Sequence, residues 1–178
     1  PGMLEKADRT QPSGRHGGDL QGIMNHMDYF NRLGVTSIWL NPFLENNQEA
    51  YTYHGYAISD FYKVDPRLGT NRKFKELVDK AHDKGLKVIQ DMVFNHCGSG
   101  HWWMDDLPME SWVHQFPEYT SSNYRASTAV DPHASKHDLR KMKDGWFDKN
   151  MPDLNQKNEL LATYLIQNTL WWIEYSGI

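Results

Sequence analysis

One cysteine, no basic cluster and no long apolar run are the first features of this 178-residue chain. The lone Cys97 excludes an internal disulfide and leaves the redox compartment open. Lysine and arginine number 19 against 23 acidic residues, and nowhere do the cations gather into a stripe. With a net charge of −4 and a pI near 6.1, a nucleic-acid partner is not expected. A membrane span needs about 20 consecutive apolar residues, and the chain has no such run, so no membrane partner is expected. The opening Pro1-Gly2-Met3 shows no leader pattern, and cytoplasmic, periplasmic and secreted locations all stay open.

What is abundant is aromatic: seven tryptophans and nine tyrosines in a chain 39% apolar. That composition suits one globular domain or a large part of one. Core packing is the ordinary use of such rings, and flat platforms for a ligand such as a sugar are the second.

The chain is organised around residues 85–96. Gly85 stops a helix, a mostly apolar run follows, and Asp91, Asn95 and His96 arrive towards its carboxyl end before the turn-prone 97–100. A short continuous apolar run predicts a buried parallel strand covered on both faces. Polar groups crowded at its far end are costly to bury without partners, and that end is where ligands sit in α/β folds.

Residues 1–18 are polar and glycine-rich and read as a loop. Asp19 then caps a predicted helix with apolar positions at Leu20, Ile23, Met24, Met27, Phe30 and Leu33, closed by Gly34. A short strand is expected at 35–40, stopped by Asn41-Pro42, and a long polar, aromatic loop over 43–69. Thr70 caps a second helix with Phe74, Leu77, Val78 and Ala81 on one face. Arg72 and Lys73 stand in its first turn, where the macrodipole disfavours cations by about 0.3–1 kcal/mol each. A third helix is expected from about 158 to 176, with Leu161, Leu165, Asn168, Trp172 and Tyr175 on one stripe.

A glycine ends each of the three helices, at Gly34, Gly85 and Gly177, and an apolar strand start follows each time. Helices alternating with buried strands indicate right-handed parallel β/α units. Residues 97–155 interrupt the second repeat and are too long for a plain connection, so a small inserted subdomain is expected. Two strands and the first residue of a third do not close an eight-fold β/α barrel, which needs about 250 residues, and a doubly wound sheet would also need more strands, so the chain reads as a fragment.

Four motifs carry a resemblance to glycoside hydrolase family 13, the α-amylase superfamily. Residues 91–96, Asp-Met-Val-Phe-Asn-His, resemble its motif at the end of barrel strand 3. Met151-Pro152-Asp153-Leu154-Asn155 resembles the motif late in its inserted subdomain, residues 34–42 resemble strand 2, and Tyr53-His54-Gly55-Tyr56 the loop after it. Gly17-Gly18-Asp19-Leu20 leans towards the cyclomaltodextrinase, neopullulanase and bacterial amylase group.

The resemblance implies an α/β fold: a partial (β/α)8 TIM barrel, strands 2–3 and helices 1–3, with a small subdomain inserted after strand 3. The expected divisions are 1–96 for the first part of the barrel, 97–155 for the subdomain, and 156–178 for barrel helix 3 leading into strand 4. It implies hydrolysis of α-glucosidic bonds with retention, on α-1,4-glucans, maltooligosaccharides or cyclodextrins. Retention uses two carboxyl groups about 5–5.5 Å apart. In the family these follow strands 4 and 5, so no residue of this chain is assigned as nucleophile or general acid, and the fragment alone is expected to be inactive and aggregation-prone at its open sheet edges.

Residue by residue, the resemblance makes His96 and Tyr56 sugar-binding, with His54 beside them, and Asp91 a supporting residue. Asn95 and Asp153 match a calcium site between barrel and subdomain, and Gly17 and Asp19 a different calcium site of the cyclomaltodextrinase group. Calcium would be a structural cofactor, with about six to eight oxygen ligands. Homo-oligomerisation of the full-length enzyme is left open. A non-catalytic carbohydrate- or protein-binding relative of the same fold, or an α-glucosidase or isomerase of the same family, is the alternative.

Some residues stay outside this reading. His133 and His137 have a spacing that can bind zinc on a helix, but follow Pro132 and read as a solvated loop. His96, Cys97 and His101 invite the same idea, but the resemblance accounts for His96 without a metal. Trp102, Trp103, Trp112 and Trp146 are candidates for outer sugar platforms, and Tyr53 for either platform or core.

Overall fold

The computed structural model describes residues 8–49 and 52–178. Two parallel strands, β1 (Ser37–Leu40) and β4 (Lys87–Gln90), pair in register Ser37 with Lys87 through Leu40 with Gln90. Between them the chain forms an antiparallel pair, β2 (Leu44–Glu45) and β3 (Asp60–Val64), and the helix α3 (Asn71–Asp83). A helix carrying the chain back between parallel strands is the β/α unit that the glycine-spaced pattern predicts. The antiparallel pair lies within what the sequence reads as plain loop, because β2 is too short to leave a periodic trace.

The first helix is not continuous. It divides into α1 (Leu20–Asn25) and α2 (Met27–Leu33) at His26, whose backbone lies at φ −115°, ψ 17°. The His26 imidazole Nδ1 donates to the Gly22 carbonyl at 2.7 Å, while its own N–H turns to Ile23 three residues back. The side chain takes the acceptor that the helix would have used, and the ladder breaks there. Leu20, Met24 and Met27 are buried, but Leu33, placed by the repeat on the same face, is exposed. Asp19 Oδ1 caps α1 through Gly22 N–H at 2.7 Å.

Helix α3 is capped by Thr70 Oγ1, and Phe74, Leu77, Val78 and Ala81 are all buried. The two cations in its first turn have local partners. Lys73 Nζ reaches Glu76 at 2.9 Å and Gln21 Oε1 of α1 at 2.9 Å, and Arg72 faces Glu76 at 3.7 Å. Lys73 thus ties two helices together, a contact whose partner lies 52 residues away.

The long helix α5 (Glu159–Ser176) starts at Asn158, whose Oδ1 accepts from Leu160 and Leu161 N–H, and ends at Gly177 with φ 79°. Its stripe of Leu161, Leu165, Asn168 and Trp172 is buried. Asn168 Nδ2 and Trp172 Nε1 both donate to the Phe61 carbonyl, at 2.8 and 2.9 Å, and dock the helix on β3. Around this junction Phe43 packs on Phe74 at 4.3 Å and edge-on to Trp172.

Covering of the parallel strands on both faces is not what the described residues show. Ile38 and Val88 are buried beneath the helices, whereas Trp39 is 68% exposed and Ile89 44% exposed on the opposite face. The strand expected over 85–96 is also shorter, since residues beyond Gln90 leave the ladder.

Residues 97–155 hold short 3-10 turns and one helix, α4 (Lys136–Asp144). Their first part packs into the common core: Trp103 meets Phe61, Trp112 and Tyr164 with ring centroids 5.0–5.7 Å apart. Trp103 and Trp112 are therefore core residues, not sugar platforms, while Trp102 is exposed. His133 precedes the cap Ser135 and His137 lies inside α4, so the two do not share a helix face, and both are exposed.

Candidate functional site

The loop that carries His54 and Tyr56 is fixed by one buried amide. Asn46 Nδ2 donates to the carbonyls of Leu44 and Gly55, and its Oδ1 accepts from Ala57 N–H, each at 2.9 Å. Behind it, Arg67 makes paired contacts to Asp65 at 2.8 and 2.6 Å and donates to the Asn46 carbonyl. Burial pushes the Asp65 carboxyl up, but its bonds with Arg67 prevail and hold it below the usual carboxylate range. Gly55 sits at φ 88°, and a Cβ there would meet the Pro42 carbonyl oxygen at 1.9 Å, so only glycine fits.

These supports bring two distant segments together. Tyr56 Oη donates to Asp91 Oδ2 at 3.0 Å, and the His96 ring meets the Tyr56 carbonyl through Nε2 at 3.1 Å. Since a carbonyl only accepts, Nε2 carries the proton; Nδ1 then accepts from Asn95 Nδ2 at 3.2 Å. Burial pulls the His96 pKa down to about 4 against the opposing pull of the Tyr56 carbonyl, with His54 adding to the lowering. The ring is neutral at pH 7, and both nitrogens already face protein groups. A sugar hydroxyl therefore has to share or displace one of these contacts. The bond to Asp91 raises the Tyr56 phenol above its ordinary range, with burial adding to it.

His54 Nδ1 accepts from Tyr56 N–H at 2.9 Å, and the two rings lie 5.8 Å apart. His54, Tyr56, Asp91 and His96 line one cavity of about 420 Å³ beyond the carboxyl end of β4. Tyr53 is partly exposed and stays outside that lining. Phe147 and Met151 complete the wall. Phe147 does not stand out in the sequence, because no local pattern marks a residue that arrives about 50 positions downstream of His96, whereas Met151 opens the motif over 151–155.

Asn95 and Asp153 are also adjacent, with Asn95 Nδ2 3.3 Å from Asp153 Oδ1. The other carboxylate oxygen takes His114 Nδ1 at 2.7 Å, and His114 Nε2 faces Asp144 at 3.7 Å. Burial raises the Asp153 carboxyl above its usual range, with His114 pulling the other way. Gly17 and Asp19 precede α1 with Gly18 between them, Asp19 Oδ1 being engaged as its cap. Among the described residues no group of three or more His, Cys, Asp or Glu side chains is placed to hold a metal ion. His101 and Cys97 are buried apart from any such group: the His101 ring lies tilted against Trp103 with centroids 4.0 Å apart, and burial moves His101 down to about 4 and Cys97 up to about 12.

Parallel strands joined through a helix, with a cavity lined by His, Tyr and Asp side chains at their carboxyl ends, define a β/α protein with its site where such folds place theirs. The chain belongs to the alpha-amylase catalytic-domain family, whose model matches residues 5–178. That family's domain is a (β/α)8 barrel, of which the described strands form a part. An alpha-amylase from Geobacillus thermoleovorans, solved with acarbose, superposes with a TM-score of 0.77 at 36% identity, over 100% of this chain and 36% of that one. A beta/alpha-amylase of Paenibacillus polymyxa is 36% identical over 167 residues, 92% of this chain and 13% of that protein. A cyclomaltodextrinase of Geobacillus thermopakistaniensis is 32% identical over 171 residues, 91% of this chain and 26% of that protein. The chain thus spans little more than a third, or less, of the relatives it matches.

Proposed function

We propose that this chain is the leading part of a retaining glycoside hydrolase that cleaves α-1,4-glucosidic bonds in glucans, maltooligosaccharides or cyclodextrins. The observation that carries the proposal is the convergence of Tyr56, Asp91 and His96 on one cavity at the carboxyl end of β4. Similarity to amylases and to a cyclomaltodextrinase supports the same reading. In it the Tyr56 ring lies against the C–H face of the sugar at the cleavage site. Asp91 holds the Tyr56 hydroxyl, and His96 and His54 offer imidazole groups to sugar hydroxyls. Residues 97–155 act as the inserted subdomain that walls the cleft. The carboxylates that break the bond come from outside these residues, so this chain positions substrate.

Calcium enters the proposal as a structural ion at Asn95 with Asp153, or at Gly17 with Asp19, completed by oxygen donors from elsewhere in the protein. It would supply positive charge between segments. A higher melting temperature with calcium than with a chelator is expected, and identical melts would overturn this part.

The test is release of reducing ends from soluble starch, maltoheptaose and β-cyclodextrin by the whole protein, with the product anomer followed by NMR. Release with retained configuration is expected. No release from any of the three overturns the proposal, and an inverted anomer overturns its stereochemical half.

A further inference from the structure

The segment before α1 sends one cation, Arg15, into the protein interior, where it is 8% exposed. Its Nη2 donates to the Thr52 carbonyl at 2.7 Å and to the Thr52 hydroxyl at 2.9 Å, across 37 residues of chain. Thr52 itself is wholly buried. Asp65, the carboxylate that attracts Arg15, is already paired with Arg67 at 2.6 Å. Burial and then the Arg67 charge pull the Arg15 pKa below its ordinary value, with Asp65 opposing. A guanidinium kept from water and bonded to neutral acceptors is a costly arrangement, and fold stability alone is served as well by a packed apolar side chain.

The contact falls where the turn that carries the sugar-facing residues begins. The Thr52 carbonyl also accepts from Gly55 N–H at 3.1 Å, so Arg15 and Gly55 together fill its two lone pairs. Gly55 leads directly into Tyr56, whose N–H turns back to His54 Nδ1 at 2.9 Å. Asn46 holds the far end of the turn, at the Gly55 carbonyl and the Ala57 N–H. Arg15 holds the near end from a separate segment, with a charged donor that makes a stronger bond than a neutral amide. His54 and Tyr56 line the cavity at the carboxyl end of β4, and Arg15 stands outside that lining.

We propose that Arg15 is a positioning residue for the reaction: through Thr52 it fixes the turn that presents His54 and Tyr56 to the sugar. The inference rests on the glucan-hydrolase reading above. Arg15 touches no substrate, and its effect passes through the backbone between Thr52 and Tyr56.

The experiment uses the whole protein with maltoheptaose, with kinetics read well below each variant's melting temperature so that folded molecules are compared. Arg15→Ala is expected to lower kcat about tenfold or more, as the loss of a bond to a charged donor would. KM should stay within about threefold, because the other glucosyl units keep their contacts while the one at the cleavage site is misplaced. Thr52→Val keeps the carbonyl and loses the hydroxyl, so kcat should fall about threefold. In the double variant the valine should add nothing, since the hydroxyl has already lost its partner. Hydrogen exchange in Arg15→Ala should quicken at residues 52–56 and stay unchanged in α5. Should Arg15→Ala fail to fold, Thr52→Val reads the same contact alone. Wild-type kcat in Arg15→Ala or in Thr52→Val, even with a lowered melting temperature, overturns this inference alone, because Arg15 would then support only the fold. Additive losses in the double variant, a loss confined to KM, or unchanged exchange at 52–56 overturn it as well. A wild type that neither hydrolyses nor binds maltoheptaose overturns the functional reading and this inference with it.

Discussion

Removing the Asn46 side chain should open the loop that carries Tyr56. Asn46 is 1% exposed, and its amide meets the Leu44 and Gly55 carbonyls and the Ala57 N–H. In Asn46→Ala all three backbone groups lose that partner. A net loss of about 1 kcal/mol per bond, rising when a buried group stays unmet, sums to about 3–5 kcal/mol. That is a large share of a domain stability of about 5–15 kcal/mol. The loop can open without global unfolding, so the effect should concentrate at residues 52–58. Hydrogen exchange followed by mass spectrometry should show protection there falling by about a hundredfold or more, and activity should fall with it. Asn46→Asp sharpens the test. It keeps the acceptor for Ala57 but turns an oxygen towards two carbonyls, beside the Asp65 carboxylate that already accepts from Asn46 N–H. It should be worse than alanine despite its closer shape. Unchanged exchange at 52–58 in Asn46→Ala, or tolerance of aspartate, would refute the reasoning.

Gly55→Ala should cost more than about 2 kcal/mol, read as a lower melting temperature, because its Cβ would press on the Pro42 oxygen at positive φ. Tyr56→Phe removes only the bond to Asp91, so kcat/KM should fall less than about tenfold, whereas Tyr56→Ala should fall much further; equal losses would deny the ring its role. His96 and His101, both near pKa 4 when folded against an ordinary histidine value of 6.5, are neutral in the native protein. The unfolded chain binds more protons between those values, so stability is full above pH 6.5 and lost as pH falls towards 4. Denaturant unfolding from about pH 7 to about 4.5 should show this slope, and His101→Gln should flatten it.

Much of the architecture is legible in the chain because it is written locally. Thr70 and Asn158 name helix starts, Gly34 and Gly177 name stops, and four-residue spacing predicts the buried stripes of α3 and α5. Each of these depends on neighbours within about one helical turn. The break at His26 is not legible, since a histidine inside an apolar repeat carries no sign of which carbonyl its ring will take. Nor is the role of Lys73, whose partner Gln21 comes from another helix, or the burial of Trp103 among Phe61, Trp112 and Tyr164.

The site divides the same way. Sequence alone determined that Asp91, Asn95 and His96 arrive together at a strand's end, because they are consecutive or nearly so along one short segment. Only the tertiary structure decided what they meet: Tyr56 across 35 residues, Asp153 across 58, and the Phe147 ring stacked on His96. Tertiary folding also closed both His96 nitrogens onto protein groups, leaving a neutral ring in place of one with two open positions. Hydrogen bonds and ring contacts act over a few ångströms of space, and spacing along the chain encodes such distances only within a helix turn or a strand.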